Sequence, residues 1–282
     1  MDTIRDDRIF MFTRIVAAVV VPFLVLAFII LYFMPETSGE RFAWDIVPNM
    51  TAAFMGAGYL GGSWLFLNAI WGKRWHRVAP GFAPVTAFTI SMLLATALHW
   101  ERFDFGHLPF QIWLVLYVVT PFLVPFVWWR NRVTDPGTPE PGDQVVPVAA
   151  RWALIGLGVV LLGFAVLAFV APERVIALWP WQLTPLTARI MGGWFVLLGV
   201  GGLVIGRESR WSSWPVGLQA IGIWHVLVVI AAVLNPGDFP NGLLNWYLIS
   251  VVLVLAGMVA LFVMMATRGR AGLTPPESPV GT

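Results

Sequence analysis

Residues Ile15–Met34 read IVAAVVVPFLVLAFIILYFM, twenty consecutive residues without a charged side chain. A helix needs about 20 apolar residues to cross the roughly 30 Å hydrocarbon core of a bilayer. Backbone groups in lipid must be satisfied within the segment, which favours a helix over an isolated strand. Met34-Pro35-Glu36, which follows, does not resemble a signal-peptide cleavage site. The stretch therefore predicts a first transmembrane helix that is retained in the protein.

Seven further segments have the same length and character. They are Asn49–Trp71, Val78–Trp100, Leu108–Trp129, Trp152–Ala171, Leu186–Gly206, Trp214–Leu234 and Leu243–Ala266. The whole chain agrees, because 59% of its 282 residues are hydrophobic and 11% are charged, whereas soluble domains are about 25% charged. The sequence predicts an all-α integral membrane protein with eight transmembrane helices.

The distribution of Lys and Arg predicts the orientation. Thirteen of these residues lie in the two tails and the even-numbered loops, against four on the other side, Arg41, Arg102, Arg174 and Arg189. Positively charged loops stay in the cytoplasm, so we expect both termini to be cytoplasmic. The Gly-, Ala- and Val-rich helices are typical of a bacterial protein, and the predicted location is the cell (plasma or inner) membrane.

An internal repeat divides the chain. Met50–Ala57 reads MTAAFMGA and Leu186–Gly193 reads LTARIMGG, and weaker matches follow in the same order on both sides. Four spans in each half make the two repeats parallel. We predict a first four-helix repeat over 1–130, a flexible cytoplasmic linker over 131–148, a second repeat over 149–268 and a disordered tail over 269–282.

Small residues predict which spans are central. Gly58 and Gly62 have GxxxG spacing in the second span, and the sixth span carries a similar glycine cluster. Such residues let helix backbones approach closely in lipid. We therefore expect the second and sixth spans to face each other between the halves.

Ionisable residues inside the spans are rare. The predicted spans contain no Asp, Glu or Lys, which argues against ion-coupled transport and proton pumping. His225 lies near the middle of the seventh span. A functional interpretation makes it a haem ligand, a quinone partner or a proton relay. The structural interpretation is a neutral imidazole bonded to a neighbouring helix.

The outer loops provide the other candidate ligand-binding residues. His99, Arg102 and Asp104 lie around the end of the third span, and Arg189 lies one turn into the sixth. They could hold a polar headgroup while the crevice between the halves holds an apolar tail. Alternatively, they cap helix ends and pair with one another.

Familiar catalytic motifs are absent from the sequence. The chain has no Cys, no P-loop and no HExxH, and the paired Ser212-Ser213 has no His or acid in a helpful sequence context. We predict no cofactor, metal or nucleic-acid partner, and whether the chain is an enzyme stays open. The expected partners are the lipid bilayer and other membrane subunits. The leading hypothesis is a non-enzymatic subunit or scaffold; the alternatives are a carrier or binder of a lipid-like molecule and, third, a haem- or quinone-binding redox protein.

Overall fold

The computed structural model describes residues 5–240 and 242–271, and side chains as far as residue 268. The described residues form ten α-helices and no sheet. The helices are α1 (Met11–Phe28, extended by a π-helical turn to Phe33), α2 (Ser38–Arg41), α3 (Asn49–Trp71), α4 (Phe82–Leu98), α5 (Leu108–Asn131), α6 (Val148–Val170), α7 (Pro172–Leu178), α8 (Pro185–Arg207), α9 (Pro215–Leu234) and α10 (Leu243–Ala271). Of the predicted disordered tail, residues 269–271 belong to α10, and the rest lies outside the described residues.

Seven of these helices are long and apolar enough to cross a membrane: α1, α4, α5, α6, α8, α9 and α10, counted over the described residues. The second predicted span also forms a helix, α3, with the predicted bounds, but it is not among the seven. Its composition explains why, since Gly, Ser, Asn, Tyr and Trp lower its mean hydropathy. In addition, 15 of its 23 residues are buried, so other helices cover most of its surface.

The local sequence explains several helix ends. Thr184 caps α8 by accepting a hydrogen bond from the backbone N–H of Thr187, whose side chain bonds back to Thr184. Pro172, Pro185 and Pro215 each occupy the first position of a helix, where a missing N–H costs nothing. Helix α4 begins at Phe82, four residues later than the predicted span, after a short 3-10 turn at Ala79–Gly81.

Two helices organise the packing. Helix α3 packs against α1 and α9, and α8 packs against α6 and α4. Helix α5 then packs on α4, and α10 packs on α9. The backbones approach closely at glycines: a Cβ atom added to Gly61 would lie 2.6 Å from the Ala220 carbonyl oxygen. Residues 1–130 and 149–268 therefore contact each other through α3–α9 and α4–α8.

Aromatic side chains fill the space between α3 and α8. The Trp194 ring, on α8, lies 5.2 Å from Tyr59, 4.5 Å from Phe88 and 4.9 Å from Trp224, measured between centroids. A Cβ atom added to Gly58 would lie 2.5 Å from the Trp194 ring, so this glycine gives the indole its space. The second and sixth predicted spans thus meet through one tryptophan, while their larger contacts are with other helices.

Candidate functional site

Four separate parts of the chain meet on the face of the protein that carries the N-terminal tail, which we call the tail face. They contribute Asp7 from the tail, His76 from the α3–α4 connection, Glu140 and Asp143 from the α5–α6 connection, and Ser212 from the α8–α9 connection. We call these five residues the tail-face cluster. It joins segments that are far apart in sequence.

Asp7 has an unusual backbone that positions its carboxylate. Its φ angle is +58°, a left-handed conformation that Asp tolerates better than most residues. Its N–H donates to the Thr134 carbonyl (2.8 Å) and its own carbonyl accepts from the Trp75 N–H (2.7 Å). Its Oδ1 atom accepts from the backbone N–H of His76, and its Oδ2 atom lies 2.5 Å from His76 Nδ1. These bonds hold the tail against the α3–α4 connection, with the side chains of both residues almost fully buried.

The other ring nitrogen of His76 faces two oxygen atoms. Its Nε2 lies 2.9 Å from Ser212 Oγ and 2.9 Å from Glu140 Oε1. The Ser212 hydroxyl donates to Asp143 Oδ2 at 2.6 Å, and the Ser212 N–H donates to Asp143 Oδ1 at 2.9 Å. Because the single hydroxyl proton is used on Asp143, His76 Nε2 is the donor towards Ser212.

Two arginines balance the carboxylates. Arg77 donates two hydrogen bonds to Glu140, at 2.9 and 2.8 Å. These bonds hold the pKa of the Glu140 carboxyl below its usual value and raise the pKa of Arg77. The Arg74 guanidinium lies 3.8 Å from Asp7 and 3.5 Å from Glu140. Three carboxylates therefore face two guanidinium groups and one imidazole.

The connectivity Asp7–His76–Ser212 is that of a Ser-His-Asp hydrolase, but the details differ. In a hydrolase the serine hydroxyl donates to the histidine, which acts as a base. Here the hydroxyl donates to Asp143, and Glu140 occupies the ring nitrogen that would take the proton. The cluster is built as an ion-pair and hydrogen-bond network rather than as an activated nucleophile.

A second network, which we call the Arg210 network, lies on the same face. Arg210, 8% exposed, bonds to Asp135 at 2.7 and 3.2 Å and to Glu208 at 2.9 and 2.6 Å. Burial alone would raise the pKa of both carboxyls, but the hydrogen bonds and charge of Arg210 outweigh it and lower both pKa values. The segment predicted to be a flexible linker thus contributes side chains to both networks.

Two of the predicted binding residues meet on the opposite face. Arg189 Nη1 donates to His99 Nε2 at 2.7 Å, and Arg189 Nε donates to the Phe169 carbonyl at 3.2 Å. This links α8 to the ends of α4 and α6. Arg102 and Asp104 are exposed, and Asp104 bonds to the backbone N–H of Gly106. Arg189 and His99 therefore form a side-chain pair, Arg102 is joined to His99 by a backbone hydrogen bond of 2.8 Å, and Asp104 bonds within its own turn.

His225 bonds within its own helix. Its Nδ1 lies 2.8 Å from the Ile221 carbonyl oxygen, one turn earlier in α9, and its ring packs beside Trp224. This nitrogen does not bond to a neighbouring helix.

The tail-face residues could not be identified from sequence spacing. Asp7 and His76 are 69 positions apart, and Ser212 is 136 positions beyond His76. A charged tail and short polar connections are ordinary features of membrane proteins, so no motif distinguishes them. The single signal was that all these segments were predicted to lie on the same side of the membrane.

A pocket of about 450 Å³ opens on the opposite face. It is lined by Val47 and Pro48, by Pro240 and by side chains between Ile176 and Thr184. The buried indole nitrogen of Trp179 has no hydrogen-bond partner among the described residues. None of the five predicted binding residues lines this pocket.

The fold defines the class of protein but not its reaction. By the length and composition of its helices, the chain is a multi-pass membrane protein. No protein-family model, curated protein or solved structure matches it.

Proposed function

We propose that the protein is a non-enzymatic subunit or scaffold of a membrane complex, with eight transmembrane helices in two parallel repeats and both termini in the cytoplasm. The observation that carries the proposal is the packing of Trp194 against both halves of the molecule. Because aromatic rings fill this region, the two halves pack directly against each other.

The burial of α3 supports eight crossings. Helix α3 has 23 residues and the bounds predicted for a span. A helix surrounded by other helices has little surface in contact with lipid, so it does not need a uniformly apolar sequence. The connections after α3, α5 and α8 also meet the N-terminal tail on one face, as an alternating course through the bilayer requires.

The contacts of α3 and α8 support the repeat. Each is the second spanning helix of its half. Helix α3 packs on α1, the first helix of its own half, and on α9, the third of the other half; α8 packs in the same way on α6 and α4. A pseudo-two-fold axis along the membrane normal relates the two sets of contacts. The 13-to-4 distribution of Lys and Arg supports the cytoplasmic assignment of the tail face.

The polar groups support a structural role. His76 and His99 each use a ring nitrogen in a bond to another part of the protein, and His225 uses one in a bond within its own helix. Both networks on the tail face tie the linker region to its neighbours. Rocking of one half against the other, as in many carriers, would require these contacts to break.

The test is purification of the tagged full chain from its own cells in mild detergent, followed by size-exclusion chromatography and mass spectrometry. We expect a second membrane protein at fixed ratio. Trp194→Ala should lose that partner because it loosens the rigid core, whereas Trp152→Ala, at a side chain that is 66% exposed, should keep it. A lone, monodisperse chain with catalytic activity would contradict the proposal.

A lipid-like ligand is the second candidate, favoured by the 450 Å³ pocket between the halves on the opposite face. Its volume lies within the range of small-molecule sites, and the Trp179 indole can donate to a ligand oxygen. Native mass spectrometry should then detect a bound lipid that Trp179→Phe loses and Trp100→Phe, at an exposed tryptophan, retains. Equal occupancy in both variants would reject this candidate, as would an absence of bound lipid in the unmodified protein.

A further inference from the structure

We propose that the tail-face cluster binds a divalent cation of the zinc type. His76 and Glu140 provide ligand atoms, and a carboxylate oxygen of Asp7, the outer partner, lies with them in a group whose atoms are all within 4.8 Å of one another. The three residues come from three different segments of the chain. Imidazole nitrogen and carboxylate oxygen are ligands that Zn²⁺ accepts.

The side of the ring that carries Nε2 offers the coordinating atoms. His76 Nε2 lies 2.9 Å from Glu140 Oε1 and 2.9 Å from Ser212 Oγ, and Ser212 Oγ lies 2.6 Å from Asp143 Oδ2. Ligand atoms around a tetrahedral Zn²⁺, with bonds of about 2.0–2.2 Å, are separated by about 3.3–3.6 Å. An outward movement of about half an ångström would therefore let His76 Nε2 and Glu140 Oε1 exchange the bond between them for bonds to the metal.

Asp7 has the position of an outer partner. Its carboxylate faces His76 Nδ1 at 2.5 Å, as carboxylates behind zinc-bound histidines do. It orients the ring so that Nε2 faces the coordinating oxygens. Arg77, bonded to both Glu140 oxygens, orients the second ligand in the same way.

The charge of the cluster agrees with a bound cation. With a neutral imidazole, as metal binding requires, the three carboxylates exceed the two arginines by one negative charge. The cluster thus has a net negative charge that a bound cation would balance.

Calorimetric titration of ZnCl₂ into the tag-free full chain in detergent, after treatment with a chelator, tests the site. We expect saturable binding at one ion per chain. His76→Gln and Glu140→Gln should weaken it by more than about 10-fold, and Asp7→Asn by about 10–100-fold. Asp135→Asn, in the neighbouring Arg210 network, should bind as the unmodified protein does.

Co²⁺ provides a readout that does not depend on the folding of variants. Bound to the unmodified chain, it should give the visible absorption of a four-coordinate site with nitrogen and oxygen ligands, and Zn²⁺ should displace it. Absence of saturable Zn²⁺ binding to the unmodified protein would overturn the proposal. So would undiminished binding by His76→Gln, or a Co²⁺ spectrum identical to that of the free ion.

Discussion

His76 Nε2 lies 2.9 Å from the hydroxyl oxygen of Ser212, although 136 residues separate the two along the chain. The contact joins the connection after α3 to the connection after α8. On the other side of the ring, Asp7 brings in the N-terminal tail. One imidazole therefore links both halves of the protein to its tail.

Replacement of His76 with Ala should release the N-terminal tail. It leaves the Asp7 carboxylate buried without its imidazole partner, and breaking a buried pair costs about 3–5 kcal/mol. Hydrogen–deuterium exchange should become faster at residues 5–10, and the melting temperature in detergent should fall. His107→Ala, which removes a bond to the Phe42 carbonyl on the opposite face, should leave exchange in the tail unchanged. Equal protection of the tail in both variants would contradict this role.

Gly58→Ala should destabilise the protein more than Gly62→Ala. A Cβ atom at position 58 would lie 2.5 Å from the Trp194 ring, whereas at position 62 the nearest atom is Leu24 Cδ1 at 3.7 Å. Overpacking of this kind costs about 1–3 kcal/mol. Thermal denaturation of the two variants in the same detergent measures the difference. If both melt together, Trp194 does not pack against Gly58 in the membrane protein.

Cysteines at positions 91 and 193 should crosslink. A Cβ atom added to Gly193 would lie 3.3 Å from Ser91 Cβ, with the flexible end of Met92 as its closest neighbour, and the chain has no native cysteine to interfere. Mild oxidation of Ser91→Cys/Gly193→Cys should give a disulfide between α4 and α8. Ile90→Cys/Gly193→Cys is the control, because the Ile90 side chain is 50% exposed. If only the control pair crosslinked, α4 would be rotated about its own axis and the described contact between α4 and α8 would be wrong.

The Arg210 network should lose its contribution to stability in acid. Asp135 and Glu208 have lowered pKa values in the folded protein, so their contribution is present above their unfolded pKa values and is lost as the pH falls through the folded ones. The unfolded values are close to 4, so the loss should lie below about pH 4.5. Arg210→Met should be less stable at neutral pH and should lose less stability on acidification.

Arg207→Met provides the matched control for the acid titration. Arg207 is exposed and bonds to the Leu203 carbonyl of its own helix. Its replacement should leave the acid dependence of the melting temperature unaltered. An Arg210→Met protein with the same acid dependence as the unmodified chain would show that Arg210 does not lower these pKa values.

Most helix positions could be predicted from the sequence. Helix α3 has the predicted bounds of Asn49–Trp71, and α9 ends at the predicted Leu234. Hydropathy is a local property, so the composition of about 20 consecutive residues is enough to predict that a segment spans a membrane. Hydropathy also explains why α3 is not among the seven apolar helices. Other helices cover most of its surface, so it tolerates small and polar residues that a lipid-facing helix would not. The prediction of eight crossings therefore depends on packing as well as composition.

The candidate sites could be predicted less well. Arg189 and His99 were both among the candidate binding residues, and their side chains form a direct bond. Arg102 and Asp104 were grouped with them, but their side chains are exposed and take no part in that bond. Proximity along the membrane normal does not specify position around the bundle, because that depends on which helices pack together.

The sequence by itself determined that this protein is helical and built for a bilayer, because both properties follow from runs of neighbouring apolar residues. The tertiary structure decided that Asp7, His76, Glu140, Asp143 and Ser212 meet in one cluster. Asp7 belongs to the N-terminal tail and the other four residues to connections between helices. Their neighbours depend on the packing of α3 on α9 and α8 on α4. Contacts between residues so far apart in sequence depend on how the helix surfaces fit together. No local pattern in the sequence specifies that fit.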